Sequence, residues 1–245
     1  TSPLRPNSAQ PHRYGARSKT QGITTALTGN EGGNGALPLT GQEGRVRTGV
    51  PHHHRLEVYM DGSRFVDACT QEHFKAMSLI HALGWRDTYV GHVPQDYLDR
   101  EITDERWVEV FRENYKSQNG CYGLLLYRGS TPVACINYCP ARKENYNPSE
   151  VCHFPNEGYE DYGEIASFYT HPQERGKGYG GLLIEEALKR LRAMGHRRAF
   201  VFVLRENERA RRFYAAHGFA WDGTHADIPF PGGVVCVDLR YVREI

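Results

Sequence analysis

The chain has 245 residues, with 30 Lys and Arg against 29 Asp and Glu, and its formal net charge is +1. This balance argues against a protein devoted to nucleic acid or to a membrane surface and favours a small partner. No apolar run approaches the ~20 residues that a membrane span needs, and the six cysteines include no CxxC pair. We therefore expect a cytoplasmic protein without a membrane partner.

Residues 1–55 differ from the rest of the chain in composition. They are rich in Gly, Thr, Ser, Pro and Gln, and Tyr14 is their only aromatic residue. Such a segment cannot bury enough apolar surface to offset its ordering entropy. Its basic residues outnumber its acidic ones, which are Glu31 and Glu43. We predict a disordered, Gly/Thr/Pro-rich basic tail over 1–55, either solvated or in weak contact with a polyanion, followed by one domain over 56–245.

The domain begins with a predicted strand and two predicted helices. RFVDAC at 64–69 is typical of a short strand, and Thr70 can cap a helix over 71–83. A second helix is predicted over 105–118, with Thr103 or Asp104 as its cap. We expect the apolar stripe of each helix to be buried. The stripes are Phe74, Met77, Ile80 and His81, then Trp107, Val110, Phe111 and Tyr115.

A hairpin and a long loop come next. CYGLLLYRGSTPVACINYC at 121–139 is apolar on both sides of a Gly129–Ser130 turn, which predicts two antiparallel strands. Between Pro140 and Gly163 the sequence becomes polar and aromatic. We interpret that segment as a surface loop and a candidate substrate lid.

The last third of the chain alternates strands and helices around a glycine-rich turn. EIASFYTHP at 164–172 is a predicted strand, followed by the turn, a helix that stops at Gly195 and a strand at 199–204. Asn207 can cap a further helix that ends at Gly218, and a final strand at 234–242 can close the sheet. For the helix before Gly195 we predict a buried face and two ion pairs. The face is Ile184, Ala187, Leu188 and Leu191, and the pairs are Glu185–Lys189 and Glu186–Arg190.

The turn RGKGYGG at 175–181 carries the chemical signal. The P-loop pattern fails for want of a Ser or Thr at the magnesium position. A dinucleotide pattern fits three glycines, but it lacks both the first strand of a βαβ unit and the later acid. What remains is a helix N-terminus, where glycine lets backbone N–H groups close around a phosphate. Arg175 and Lys177 add positive charge there.

Two signatures carry a family resemblance. The spacing Arg175-x-x-Gly178-x-Gly180, between a strand and an amphipathic helix, resembles the pyrophosphate-binding signature of the GCN5-related N-acetyltransferases. The stretch Asn207-x-x-Ala-x-x-Phe-Tyr-x-x-x-Gly-Phe219 resembles the second hallmark of that superfamily. LGWRDTYVGHVPQDYL at 83–98 is similar to the acceptor-side helix and loop of one bacterial group within it, so the likeness runs from residue 64 to the C-terminus.

The resemblance implies a fold and a cosubstrate. The fold is the α/β (α+β) acyl-CoA N-acyltransferase fold, in which a mixed, mostly antiparallel sheet has a central parallel pair of splayed strands and is flanked by helices. Acetyl-CoA would lie between the splayed strands. The implied contacts are Phe168, Tyr169 and Thr170 for pantetheine, Asn207 for the same arm, and Arg175, Gly176, Lys177, Gly178, Tyr179, Gly180 and Gly181 for the pyrophosphate. A plain helix cap is the alternative for Asn207.

Acetyl transfer to an amine needs a neutral amine, a stabilised oxyanion and a proton for the departing thiolate. The resemblance implies Tyr214 as the general acid and Glu164 as a candidate base. A core tyrosine and an exposed strand-start acid are the respective alternatives. Trp85, Arg86 and Tyr89 are the candidate acceptor-side residues, with packing as an equal alternative.

The predicted activity is therefore acetyl-CoA-dependent N-acetylation of a small-molecule amine or a peptide amino group. We predict no metal, because the His52–His54 triplet lies in the tail. A homodimer is the candidate assembly. A non-catalytic acyl-CoA sensor of the same fold is the first alternative, and a nucleic-acid partner held by the tail is a second and less favoured one.

Overall fold

The computed structural model describes residues 62–142 and 155–245. The predicted tail and the central part of the predicted loop lie outside these residues. The elements are β1 Ser63–Asp67, α1 Gln71–Tyr89, α2 Gln95–Glu101, α3 Val108–Ser117, β2 Tyr122–Arg128, β3 Thr131–Pro140, β4 Gly163–Thr170, α4 Tyr179–Ala193, β5 Arg198–Leu204, α5 Glu208–Ala216, β6 Ala220–Phe230 and β7 Val234–Glu244. None of the helices in these ranges is long and apolar enough to cross a membrane.

The strands form one seven-stranded sheet in the order β1-β2-β3-β4-β5-β7-β6. Its neighbours are antiparallel except β4 and β5, which run parallel at the centre. The predicted mixed, mostly antiparallel sheet is thus confirmed. The final strand β7 does not close an edge but lies between β5 and β6. The predicted strands do not include β6, because AWDGTHADIPF is mostly exposed and lacks a continuous apolar face.

Helices cover both faces of the sheet. Leu124 and Leu126 of β2 pack into one apolar cluster with α4, whereas Leu125 between them packs into another with α1. Because successive side chains of a strand point to opposite faces, α4 and α1 lie on opposite sides of the sheet. The predicted face of α4 is fully buried. The sheet is therefore the middle layer of three.

Two of the predicted helices differ in their bounds. Helix α1 continues through Gly84 to Tyr89, and α3 starts at Val108 rather than at 105. The start of α3 is fixed by a tertiary contact, because the Trp107 N–H donates to Ser78 Oγ at 3.1 Å. The predicted burial of the α3 stripe was partly wrong, since Phe111 is buried while Val110 and Tyr115 are exposed.

The two predicted ion pairs on α4 have different outcomes. Glu186 and Arg190 are joined at 2.9 Å, as expected. Glu185 instead pairs with Arg243 of β7 at 2.7 Å, and Lys189 reaches Glu186 at 3.3 Å. Glu185 therefore pairs with Arg243 of β7 rather than with Lys189 of its own helix.

Candidate active site

The parallel strands β4 and β5 separate part-way along their length. They pair at Gly163–Ala199, Glu164–Phe200 and Ile165–Val201. Beyond that point each strand follows its other neighbour, β4 to Thr170 on β3 and β5 to Leu204 on β7. Among the described residues no β4–β5 pair occurs past Ile165. The strands therefore open a V whose arms are residues 166–170 and 202–204.

A glycine cradle lies just beyond the β4 arm of the V. After a short 3-10 turn at Pro172–Glu174, Gly176 and Gly178 have φ of +76° and +84°. Residues other than glycine rarely adopt this backbone conformation. A Cβ at either position would meet no other atom within 4 Å. Gly178 caps α4 without a side-chain hydrogen bond. The first N–H groups of a helix have no partner within it, and the open space at Gly176 and Gly178 leaves room for an anion beside the start of α4.

Gly180 and Gly181 serve a different purpose. A Cβ on Gly180 would lie 3.3 Å from Phe213 and 3.4 Å from Phe168, and one on Gly181 would lie 3.3 Å from His217 Nε2. These two glycines let the start of α4 approach β4 and α5 closely. The sequence pattern is therefore composite, with Gly176 and Gly178 shaping the cradle and the next two glycines permitting the packing behind it.

The cationic side chains of the cradle are already paired with acids. Arg175 donates to Asp87 of α1 at 2.5 Å, and Arg209 reaches the same carboxylate at 3.2 Å. Burial favours a raised pKa for Asp87, but these two guanidinium groups hold its pKa below the ordinary value. Lys177 contacts Glu174 at 2.8 Å. Asp87 thus ties the cradle to the helix on the opposite face of the sheet.

Helix α5 begins at the cap Asn207 and carries Tyr214 in its last turn. Asn207 Oδ1 accepts from the Ala210 N–H at 3.0 Å, which confirms the predicted cap. Tyr214 is buried, and its ring lies 5.5 Å from Phe213 and 5.6 Å from Phe219. Burial raises the pKa of Tyr214 above its ordinary value. Its hydroxyl therefore remains protonated at neutral pH.

Successive residues of β4 contact opposite helices. The Phe168 ring lies 5.5 Å from Phe213 of α5, whereas the Tyr169 ring lies 4.4 Å from His81 of α1. Burial raises the pKa of Tyr169, and the Asp238 carboxylate and the Tyr214 phenol raise it further. Tyr169 therefore lies near groups from both sides of the V.

Glu164 is held in a buried ion pair. Arg142 donates to its carboxylate from the backbone N–H at 3.0 Å, from Nε at 3.0 Å and from Nη2 at 2.5 Å. Glu164 is 3% exposed and lies in the paired half of β4. This geometry favours a structural ion pair over a freely accessible base.

The three candidate acceptor-side residues separate into two groups. Trp85 and Tyr89 stack at 4.1 Å, and both lie near Phe230 of β6. Arg86 turns to the α2–α3 connection, where it contacts Asp104 at 2.6 Å and the Ile102 carbonyl at 3.3 Å. We call Trp85 and Tyr89, with Phe230 beside them, the aromatic wall. Arg86 is not part of this wall, because its charge is balanced by Asp104.

Asp238 of β7 is a candidate site residue that is not among those predicted from the sequence. It pairs with Leu204 at the open end of β5 and is 9% exposed. Its Oδ1 has no hydrogen-bond partner among residues 62–142 and 155–245. Burial, and then Glu206, raise its pKa to about 7. An acid inside the apolar run VVCVDLRYV was the available signal.

The model of the acetyltransferase (GNAT) family matches residues 80–219, more than half of the chain. The match includes the cradle, the V and α5. This chain is a member of the GNAT family of acetyltransferases. A search of curated protein sequences found no match.

Solved structures share the GNAT fold at low sequence identity. An N-acetyltransferase from Thermoplasma acidophilum in complex with coenzyme A aligns with TM-score 0.54 and 16% identity over 75% of this chain and 99% of that one. A ribosomal-protein-alanine N-acetyltransferase from Brucella melitensis gives 0.56 and 17% over 74% and 99%. An acetyltransferase from Salmonella typhimurium, described as putative in its name and solved with acetyl-CoA, gives 0.52 and 14% over 74% and 93%.

The residues of this GNAT chain fit acetyl-CoA. The cradle has open space, two glycines with positive φ and the start of a helix where a pyrophosphate would lie, and in the described residues β4 and β5 do not pair with each other beyond Ile165, where the pantetheine arm would lie. No group of three or more His, Cys, Asp or Glu side chains in the described ranges could hold a metal. The His52–His54 triplet lies outside those ranges.

Proposed function

We propose that this GNAT chain transfers an acetyl group from acetyl-CoA to the primary amine of a small molecule or a peptide. The main support for this proposal is that the open V and the glycine cradle are adjacent along β4 and the start of α4. The parallel strands open after Ile165, and the same strand leads directly to the glycine cradle at the start of α4. A long ligand with an amide-bearing arm and a pyrophosphate matches both features at once.

Binding roles follow from the positions of these groups. The β4 arm, Phe168 to Thr170, offers backbone groups to the pantetheine amides. The cradle, from Arg175 to Gly181, offers backbone N–H groups and two cations to the pyrophosphate. Asn207 Oδ1 is used by the helix cap, so its side-chain N–H₂ is the group we assign to the ligand.

The chemistry assigned to Tyr214 is donation to the leaving sulfur. Acetyl-CoA supplies the acetyl group as a thioester, whose sulfur becomes a thiolate when the acetyl group leaves. The raised pKa of Tyr214 keeps its proton in place until negative charge develops on that sulfur. Because Tyr214 is buried, its hydrogen bond to that charge acts in a medium of low dielectric constant.

Glu164 does not enter the proposed reaction. Both of its carboxylate oxygens accept from Arg142, and a base must present a free lone pair to its substrate. The role of Glu164 as a base stays a prediction from the sequence; its contacts with Arg142 support a role in fixing the residues after β3.

We infer a cytoplasmic setting and a homodimer as parts of this proposal. Cys69, Cys121, Cys135, Cys139 and Cys236 are free, which fits a reducing compartment. The outer strand β6 leaves Trp221 53% exposed at the sheet edge, where a second copy would pair.

The test of this function is release of free coenzyme A thiol from acetyl-CoA in the presence of an amine panel. The panel holds primary alkylamines, arylalkylamines, polyamines and peptides with free N-termini, and mass spectrometry detects the acetylated product. The proposal predicts amine-dependent thiol release with at least one class. Acetyl-CoA binding without acetylation of any member would support the acyl-CoA sensor instead.

A further inference from the structure

Asp238 is a buried acid without a cationic partner. It is 9% exposed, and no ion pair to it occurs in the described parts of the chain. Arg240 lies two residues further along β7, but its guanidinium is bound to Asp222 at 2.7 Å and to Thr224 at 2.8 Å. A buried carboxylate without a partner is costly, so burial raises the pKa of Asp238, and a cation from outside the protein would stabilise its ionised form.

The position of Asp238 is the open end of the V. Its partner Leu204 is the last residue of β5, and its charge acts on Tyr169 of the β4 arm. Leu204 and Cys236 pack in one apolar cluster with Tyr89 and Trp85. Because Cys236 and Asp238 are two residues apart on one strand, they share a face, and that face lies under the aromatic wall.

The aromatic wall supplies the second half of a cation site. Trp85 and Tyr89 are stacked at 4.1 Å, and Phe230 lies 6.1 Å from the Trp85 ring. Aromatic faces attract an ammonium group and also take up an apolar body. An acid beside such rings therefore matches an ammonium group on an aromatic or alkyl skeleton.

The lack of a cation beside Asp238 narrows the class of acceptor. No ion pair to Asp238 occurs in the described residues, and Glu206, in the turn after β5, is itself paired with Arg205 at 2.9 Å. A carboxylate next to the amine of an acceptor would therefore face the Asp238 carboxylate with no cation between them. Amines without that carboxylate are favoured over amino acids.

We propose that Asp238 receives the acceptor as an ammonium ion and takes its proton, and that the acceptor is a primary amine on an aromatic or alkyl body without an adjacent carboxylate. This role rests on the proposed acetyltransferase activity. In balance, RNH₃⁺ and CH₃CO–S–CoA give RNHCOCH₃, HS–CoA and H⁺. Asp238 takes the first proton from nitrogen and passes it to solvent. The C–N bond forms as the C–S bond breaks. Tyr214 gives its proton to the sulfur, and the second proton that leaves the nitrogen restores the proton of Tyr214.

The pH dependence follows from the groups around Asp238. They are Tyr169 on β4, Glu206 in the turn before α5 and Cys236 on β7. The pKa of Tyr169 is raised, and that of Cys236 is raised to about 11, so both stay neutral near pH 7. On α1, burial lowers the pKa of His81 to about 3. Asp238 is the group whose pKa of about 7 sets an acidic limb of kcat/KM.

The experiment compares the full chain with Asp238→Asn and a matched control, Asp227→Asn, on the exposed side of β6. The probes are 2-phenylethylamine and phenylalanine, with kcat/KM measured from pH 5 to 9 and amine binding measured by calorimetry. We expect Asp238→Asn to lose at least 100-fold in kcat/KM and to lose the acidic limb. The control keeps both, and 2-phenylethylamine is preferred at least 100-fold by the unmodified chain.

The outcomes separate the two proposals. Retention of the acidic limb by Asp238→Asn, or equal use of phenylalanine, overturns the role of Asp238 or the acceptor class. Binding of 2-phenylethylamine that needs Asp238, with no acetylation of any amine, overturns the proposed function but supports the ammonium site. Should Asp238→Asn not fold, Asp238→Glu serves in its place, and an unchanged pH profile with that longer acid contradicts a positioned base.

Discussion

The ring of Tyr169 lies against Gly84 of α1, in the space that a Cβ on residue 84 would occupy. The Tyr169 ring also contacts His81 of the same helix, which is itself stacked on Trp107 at 4.0 Å. Packing therefore explains the glycine within α1: the absence of a side chain at residue 84 leaves room for Tyr169 of the β4 arm. Helix α1 and the β4 arm of the V therefore pack directly against each other at this contact.

Replacing Gly84 by Ala should destabilise the protein despite the better helix propensity of Ala. The propensity gain is ~1 kcal/mol, whereas forcing a buried ring to move costs about 1–3 kcal/mol. We expect a net loss of about 1 kcal/mol in the free energy of unfolding, measured by urea titration. Lys75→Ala, on the exposed face of α1, is the control and should change little. A more stable Gly84→Ala variant would show that Tyr169 has room to move.

Arg175→Ala should weaken coenzyme A binding. The variant lacks the guanidinium that attracts the pyrophosphate. We therefore expect the Kd for coenzyme A to rise about tenfold, which corresponds to about 1.4 kcal/mol of binding free energy. Calorimetry at two salt concentrations measures the effect. Arg212→Ala on α5, whose side chain is 74% exposed and paired with Glu208, is the control. Equal affinities of the two variants would remove Arg175 from the site.

Asn207 variants separate the helix cap from the ligand contact. Asn207→Ala should lower the free energy of unfolding by about 1 kcal/mol, while Asn207→Ser keeps a capping oxygen and most of the stability. We expect both variants to bind coenzyme A several-fold more weakly, because both lack the side-chain N–H₂ group. Thermal unfolding and calorimetry give the two quantities. Normal coenzyme A affinity in Asn207→Ser would leave Asn207 as a cap alone.

Asp238 should make the protein less stable as the pH rises. The folded chain keeps this proton up to about pH 7, whereas the unfolded chain releases it near pH 3.8, so stability falls between these values. The full effect is on the order of 4 kcal/mol. Asp238→Asn should abolish this slope and be more stable than the unmodified chain at pH 8 in urea titrations. Parallel pH–stability curves for the two proteins would contradict the unpartnered, buried carboxylate.

The sequence predicted the parts of the site that depend on local backbone geometry. The cradle follows from glycine spacing at a helix start, and the Asn207 cap follows from a short polar side chain before an apolar stripe. Contacts between distant segments were beyond its reach. The roles of Gly84 and Gly180 depend on rings that arrive from β4 and α5, and the Glu164–Arg142 pair depends on the chain after β3. The sequence shows Asp238 as an acid within an apolar strand, but its position at the open end of the V depends on the pairing of β7 with β5.

The central claim is that Tyr214 assists acetyl transfer at the open end of the V. The direct measurement is kcat with the best amine, together with the Kd for coenzyme A, in the unmodified chain and in Tyr214→Phe. Tyr162→Phe, a buried tyrosine before the opposite end of β4, is the control. We predict a kcat lower by about 100-fold in Tyr214→Phe alone, because it loses the proton donor, with the Kd unchanged within about twofold. Equal kcat in all three proteins would contradict the claim.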